Sequence, residues 1–81
     1  MKIIYTGELR ELQKKGYELY DSFVGQYYRK EIVNLEDMKQ RLACYIDIKT
    51  LVVDFVGCRE YEKYFLKELE GLIKYEKEKS V

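Results

Sequence analysis

Tyr17-Glu18-Leu19-Tyr20-Asp21-Ser22-Phe23-Val24-Gly25-Gln26-Tyr27-Tyr28-Arg29-Lys30 is the stretch on which the fold assignment turns. At about 100° per residue, Tyr17, Leu19, Tyr20, Phe23, Val24, Tyr27 and Tyr28 fill one half of a helical wheel. Glu18, Asp21, Ser22, Gly25, Gln26 and Arg29 fill the other half, so the segment reads as an amphipathic helix. Leu9, Leu12 and Gly16 fall in the same sector as Tyr20, Phe23 and Tyr27, which predicts one helix over residues 7–30. Gly16 would then cost roughly 1 kcal/mol relative to Ala. The competing reading ends a first helix at Lys14-Lys15-Gly16, a basic last turn followed by glycine at C′.

Outward from this stretch, Lys2-Ile3-Ile4-Tyr5 is β-prone and is closed by Thr6-Gly7. Asn34 reads as an N-cap before Leu35-Glu36-Asp37, where acidic residues suit the helix dipole. Leu35, Met38, Leu42, Tyr45 and Ile46 form the stripe of that second helix. The phase breaks after Ile46, and β-branched Thr50, Val52, Val53 and Val56 predict a buried strand over 48–56, closed by Gly57. A last helix is predicted over 59–77, centred on Tyr61, Phe65, Leu69 and Leu72. Its apolar arc is wide, roughly 200°, with Leu66 and Ile73 on one flank and Tyr64 and Tyr75 on the other.

The expected fold is therefore α+β and helix-rich, β-α-α-β-α with a small two-stranded sheet. The alternative is an all-α three-helix bundle in which residues 48–56 continue the second helix. Two strands alone are marginal, so a second copy extending the sheet is part of the expectation. The 81 residues read as a single domain, with Lys74 to Val81 a solvated, fraying end and 78–81 its frayed tail.

Composition narrows the function classes. Charged residues make up 37% of the chain and hydrophobic residues 47%, as in a folded domain, and no apolar run is long enough to span a bilayer. The start of the chain does not read as a signal peptide, and two cysteines outside any Cys-x-x-Cys pattern do not make a disulfide framework. A cytoplasmic protein without a membrane segment is expected. The formal net charge is zero, which lowers the expectation of non-specific nucleic-acid binding. The chain has no histidine, the commonest general base and metal ligand. Neither enzymatic activity, a cofactor nor a metal site is expected.

Three positions are candidates for chemistry. Cys44 falls on the polar side of its predicted helix, Cys58 lies near a helix start beside Arg59, and Asp54 interrupts a run expected to be buried. The nine tyrosines are the compositional oddity, since tyrosine suits surfaces that meet partners. These features point to a small regulatory or inhibitor module that binds another protein and acts by occlusion. It is expected to form a homodimer, and short chains without a site are common among factors encoded by phages and mobile elements. Tyr28, Arg29, Tyr64 and Tyr75 are the candidate partner-binding residues. The alternative is a nucleic-acid-binding regulator using Tyr27, Tyr28, Arg29 and Lys30, with stacking on tyrosine beside phosphate contacts.

Overall fold

The computed structural model describes residues 1–77, so the tail expected at 78–81 lies outside the described residues. Six strands form one antiparallel sheet: β1 (Lys2–Tyr5), β2 (Glu18–Ser22), β3 (Gly25–Val33), β4 (Arg41–Asp47), β5 (Val52–Gly57) and β6 (Ile73–Glu76). Their order across the sheet is β2-β3-β4-β5-β1-β6. Two short helices, α1 (Leu9–Lys14) and α2 (Glu62–Glu68), complete the fold, α2 entered through a 3-10 turn at Arg59–Tyr61. The helix-rich α+β expectation with two strands is thereby overturned, as is the three-helix bundle. The sheet dominates.

The predicted helix over 7–30 is in fact a one-and-a-half-turn helix followed by a β-hairpin. α1 stops where the competing reading placed its end. Gly16 adopts φ +92°, its N–H donates to Gln13 O, and Tyr17 N–H donates to Leu12 O. This is a Schellman C-cap, in which glycine takes the left-handed position. β2 and β3 then pair from Glu18–Arg29 to Ser22–Gly25 around the two-residue turn Phe23–Val24. The helical wheel misleads because the doublets Leu19-Tyr20, Phe23-Val24 and Tyr27-Tyr28 recur every four residues. On a strand each doublet sends one side chain to either face, and the middle doublet is the turn.

The second predicted helix is also a strand. Asn34 does accept a backbone hydrogen bond, from Glu36 N at 2.9 Å, but it organises the loop over 34–40. Leu35 and Met38 of the predicted stripe are exposed there. Within β4, Leu42, Cys44 and Ile46 face one way, and each is fully buried. The strand predicted at 48–56 exists only in part, as β5 from Val52 to Gly57; residues 48–51 form the preceding turn, and Asp54 and Val56 are exposed rather than buried. The last helix is cut to seven residues by Gly71 at φ +81°, after which Ile73-Lys74-Tyr75-Glu76 alternates as β6 rather than fraying. Tyr64 and Leu66, which set the two edges of the wide arc, both lie on α2, where Tyr64 is half-exposed and Leu66 only partly buried.

Both helices cover the same face of the sheet. Leu12 of α1 and Phe65 of α2, with Leu69 just beyond it, pack with Tyr5, Tyr17, Tyr28, Leu42, Cys44, Ile46 and Val53 in one core. The opposite face carries Tyr20, Tyr27, Arg29, Glu31, Tyr45 and Asp54, and no described element lies over it. Gly57 ends β5 at φ +126°, where a β-carbon would run into the carbonyl oxygen of Arg41. That carbonyl also accepts Cys58 N–H at 2.7 Å. Gly57→Ala is expected to cost about 2 kcal/mol or more. Gly71→Ala, with open space around its β-carbon, should cost only about 1 kcal/mol. Urea denaturation of the two variants measures the difference.

Candidate interaction site

The β2–β3 hairpin carries the chain's most prominent exposed apolar group. Phe23 is fully exposed, Val24 is 83% exposed, and Leu19 and Tyr20 lie 55% and 45% open just below them. Such turns are usually filled by Asn, Asp or Gly, and here two large apolar residues take the central positions. Neither has a positive φ, and Gly25 at φ +147° absorbs the distortion behind them. The turn is held by Ser22, whose Oγ donates to Gly25 O at 3.0 Å and accepts Val24 N–H at 3.3 Å.

β2 is also an outer strand of the sheet. Gln26 O accepts Ile48 N–H on the β4 side, so Gln26 and Asp21 form a non-hydrogen-bonded cross-strand pair. The main-chain groups of Asp21, and by alternation those of Leu19, therefore point outward, away from β3. Glu18 and Asp21 are the charges on this strand, and neither forms an ion pair among the described residues.

The uncovered sheet face continues from the hairpin. Tyr20 and Tyr27 both set their rings edge-on to Tyr45, at centroid distances of 5.9 and 6.0 Å. Arg29 lies over the Tyr45 ring at 5.6 Å, donates from Nε to Tyr45 OH at 3.1 Å and pairs with Glu31 at 3.0 Å. The three rings thus engage one another and one guanidinium rather than standing free.

The four candidate partner-binding residues lie on three elements, β3, α2 and β6, and the two on β3 face opposite sides of the sheet. Tyr28 is buried against the helices, its hydroxyl accepting Gln13 Nε2 at 3.2 Å. Arg29 is on the uncovered face, Tyr64 is half-exposed on α2 beside Tyr61, and Tyr75 is half-exposed on β6. Strand alternation likewise splits the nucleic-acid candidates. Tyr27 and Arg29 face solvent, whereas Tyr28 and Lys30 face the helices. Lys30 Nζ donates to Lys15 O and to Glu68 Oε2, each at 2.7 Å, with the Tyr17 ring 5.6 Å away. The exposed hairpin tip was missed because Phe23 and Val24 were placed on the buried half of a helix.

Asp54, expected to be buried, is exposed on the uncovered face opposite Tyr45. Cys44, expected on a polar surface, is fully buried and accepts the Tyr17 hydroxyl at 3.8 Å. Burial pushes the Cys44 thiol up to about 12 and the Tyr17 phenol well above its ordinary 10. Cys58 is only partly buried. Among the described residues, no group of three or more Cys, Asp or Glu is placed to hold a metal ion. No helix among them is long and apolar enough to cross a membrane. No family model, curated protein or solved structure matches this chain.

Iodoacetamide at pH 8 should therefore alkylate Cys58 in the folded protein and reach Cys44 only in denaturant, as peptide mass mapping will show. Alkaline pH should also unfold the chain progressively. Cys44 and Tyr17 stay protonated when folded but ionise near 9 and 10 when unfolded. Above those values the unfolded chain holds fewer protons, so stability is full below about pH 9 and falls as pH rises toward 12. Denaturation midpoints measured from pH 7 to 11 test this, and Cys44→Ala should flatten the lower part of the decline.

Proposed function

We propose that this chain is a small cytoplasmic protein-binding module, regulatory or inhibitory, that docks through its β2–β3 hairpin and acts by occluding a surface of another protein. The observation that carries the reading is the hairpin tip, where Ser22 clasps a turn that holds Phe23 and Val24 in water. Burying one such side chain on a partner would contribute about 1.5–3 kcal/mol, and aromatic anchors dominate binding surfaces. Below the tip, Leu19 on the helix-facing side and Tyr20 on the uncovered side continue the apolar surface, and Glu18 and Asp21, likewise on opposite sides, give each an acidic neighbour. That combination suits a hydrophobic hollow with a basic rim. Of the residues the sequence singles out, Tyr27 and Tyr28, opposite Tyr20 and Leu19, lie nearest this site, with Arg29 one position further from the tip.

The test is quantitative affinity capture from the native cell with the wild-type chain, a Phe23→Ser/Val24→Thr variant and Tyr64→Ala. A specific partner should be lost, by about tenfold or more in retained amount, from the hairpin variant and kept by Tyr64→Ala. A partner held equally by all three contradicts docking through the hairpin. A salt-sensitive nucleic acid, lost on Tyr27→Ala or Arg29→Ala, would favour the nucleic-acid reading instead.

A further inference from the structure

The second outer strand, β6, is built differently from β2. Tyr5 N–H donates to Leu51 O on the β5 side, whereas Thr6 N–H donates to Leu72 O on the β6 side. Alternation then turns the main-chain groups of Tyr5 and Ile3 toward β5, which leaves their cross-strand partners Ile73 and Tyr75 with N–H and C=O pointing out of the sheet. Lys74 and Glu76 turn their main-chain groups inward to β1 and their side chains to the uncovered face. Both side chains are more than half exposed, and their contact with each other is loose, at 3.9 Å. Tyr75, 57% exposed, lies on the helix-covered side at the sheet margin.

We propose that β6 pairs antiparallel with β6 of a second copy about a two-fold axis through Tyr75, joining two six-stranded sheets into one. A two-fold axis between antiparallel strands passes through a hydrogen-bonded or a non-hydrogen-bonded pair. Tyr75, whose main-chain groups point outward, would make a hydrogen-bonded one, the two tyrosines exchanging both bonds. The register then sets Lys74 opposite the second copy's Glu76, and Glu76 opposite the second copy's Lys74. These are non-hydrogen-bonded positions, where side chains approach most closely. The two tyrosines face each other on the other side. The edge is therefore complementary in charge to itself.

The outer strand β2 lacks this property. An axis through Leu19 sets Glu18 opposite Tyr20 and Tyr17 opposite Asp21, and an axis through Asp21 sets two carboxylates face to face. Pairing β2 with β6 of another copy would leave open ends and grow without closing. β6 on β6 closes as a dimer and leaves both hairpins free, so the pairing is independent of the partner proposed for the hairpin.

Sedimentation equilibrium on the full chain, up to about 1 mM, tests the pairing. Wild type should be a reversible dimer. Lys74→Glu or Glu76→Lys alone places two like-charge pairs across the axis and should weaken the dimer by about tenfold. The double variant Lys74→Glu/Glu76→Lys restores opposite charges and should restore association. Tyr75→Pro removes an outward N–H that β1 does not use, so it should abolish the dimer while the far-ultraviolet dichroism of the sheet persists. A wild-type chain that stays monomeric throughout overturns the proposal. So does a dimer indifferent to the charge changes, or one abolished by Leu19→Pro and kept by Tyr75→Pro.

Discussion

The fold depends on covering one row of β4. Leu42, Cys44 and Ile46 project from the same face of a strand that lies inside the sheet, and they are the positions that must be kept from water. Among the described residues only two helices are available for this, of six and seven residues. Leu12, Phe65 and Leu69 therefore carry most of the covering. Helices this short have little stability of their own and are held by that contact. Their length explains why Gly16 and Gly71 sit where they do. Each releases the chain from a helix in time to return it to the sheet.

The same constraint accounts for Lys30. It lies on the helix-facing side of β3, opposite Cys44, where a charge is costly unless it is paired. Its amine reaches past the core to Glu68 and to the free carbonyl of Lys15 at the end of α1. One side chain thus ties the ends of both helices to the sheet. Tyr17 beneath it is ordered by the same arrangement, its hydroxyl on the Cys44 sulfur and its ring 6.4 Å from Phe65. The other side of the sheet needs no such device, because Arg29, Glu31 and the tyrosines there keep access to water.

Local signals in the sequence were sound at turns and strand limits. The Lys14-Lys15-Gly16 stop, the strand at residues 2–5 and the glycine that closes β5 correspond to features of the structure, whereas Asn34, read as a helix N-cap, serves a loop and no helix follows it. Periodicity was the unreliable guide. Apolar doublets spaced four apart satisfy a helix and a two-faced hairpin equally well. Ile73-Lys74-Tyr75-Glu76 does alternate with a period of two, yet four residues are too few to outweigh the longer pattern before them. The hairpin tip was legible in one respect. Ser22-Phe23-Val24-Gly25 sets two common turn residues, serine and glycine, on either side of the loop, although the central positions of a two-residue hairpin loop favour Asn, Asp or Gly. Its exposure was not, because apolar residues are assigned to the interior by default.

The stretch from Tyr17 to Lys30 separates the sheet from every helical alternative, and backbone resonance assignment with nuclear Overhauser spectroscopy measures it directly. The sheet requires strand-like Cα and Cβ shifts on both sides of Phe23–Val24. It also requires cross-strand contacts between Tyr20 and Tyr27 and between Arg29 and Tyr45. Continuous helical shifts from Tyr17 to Lys30, with contacts between residues three apart, would contradict it.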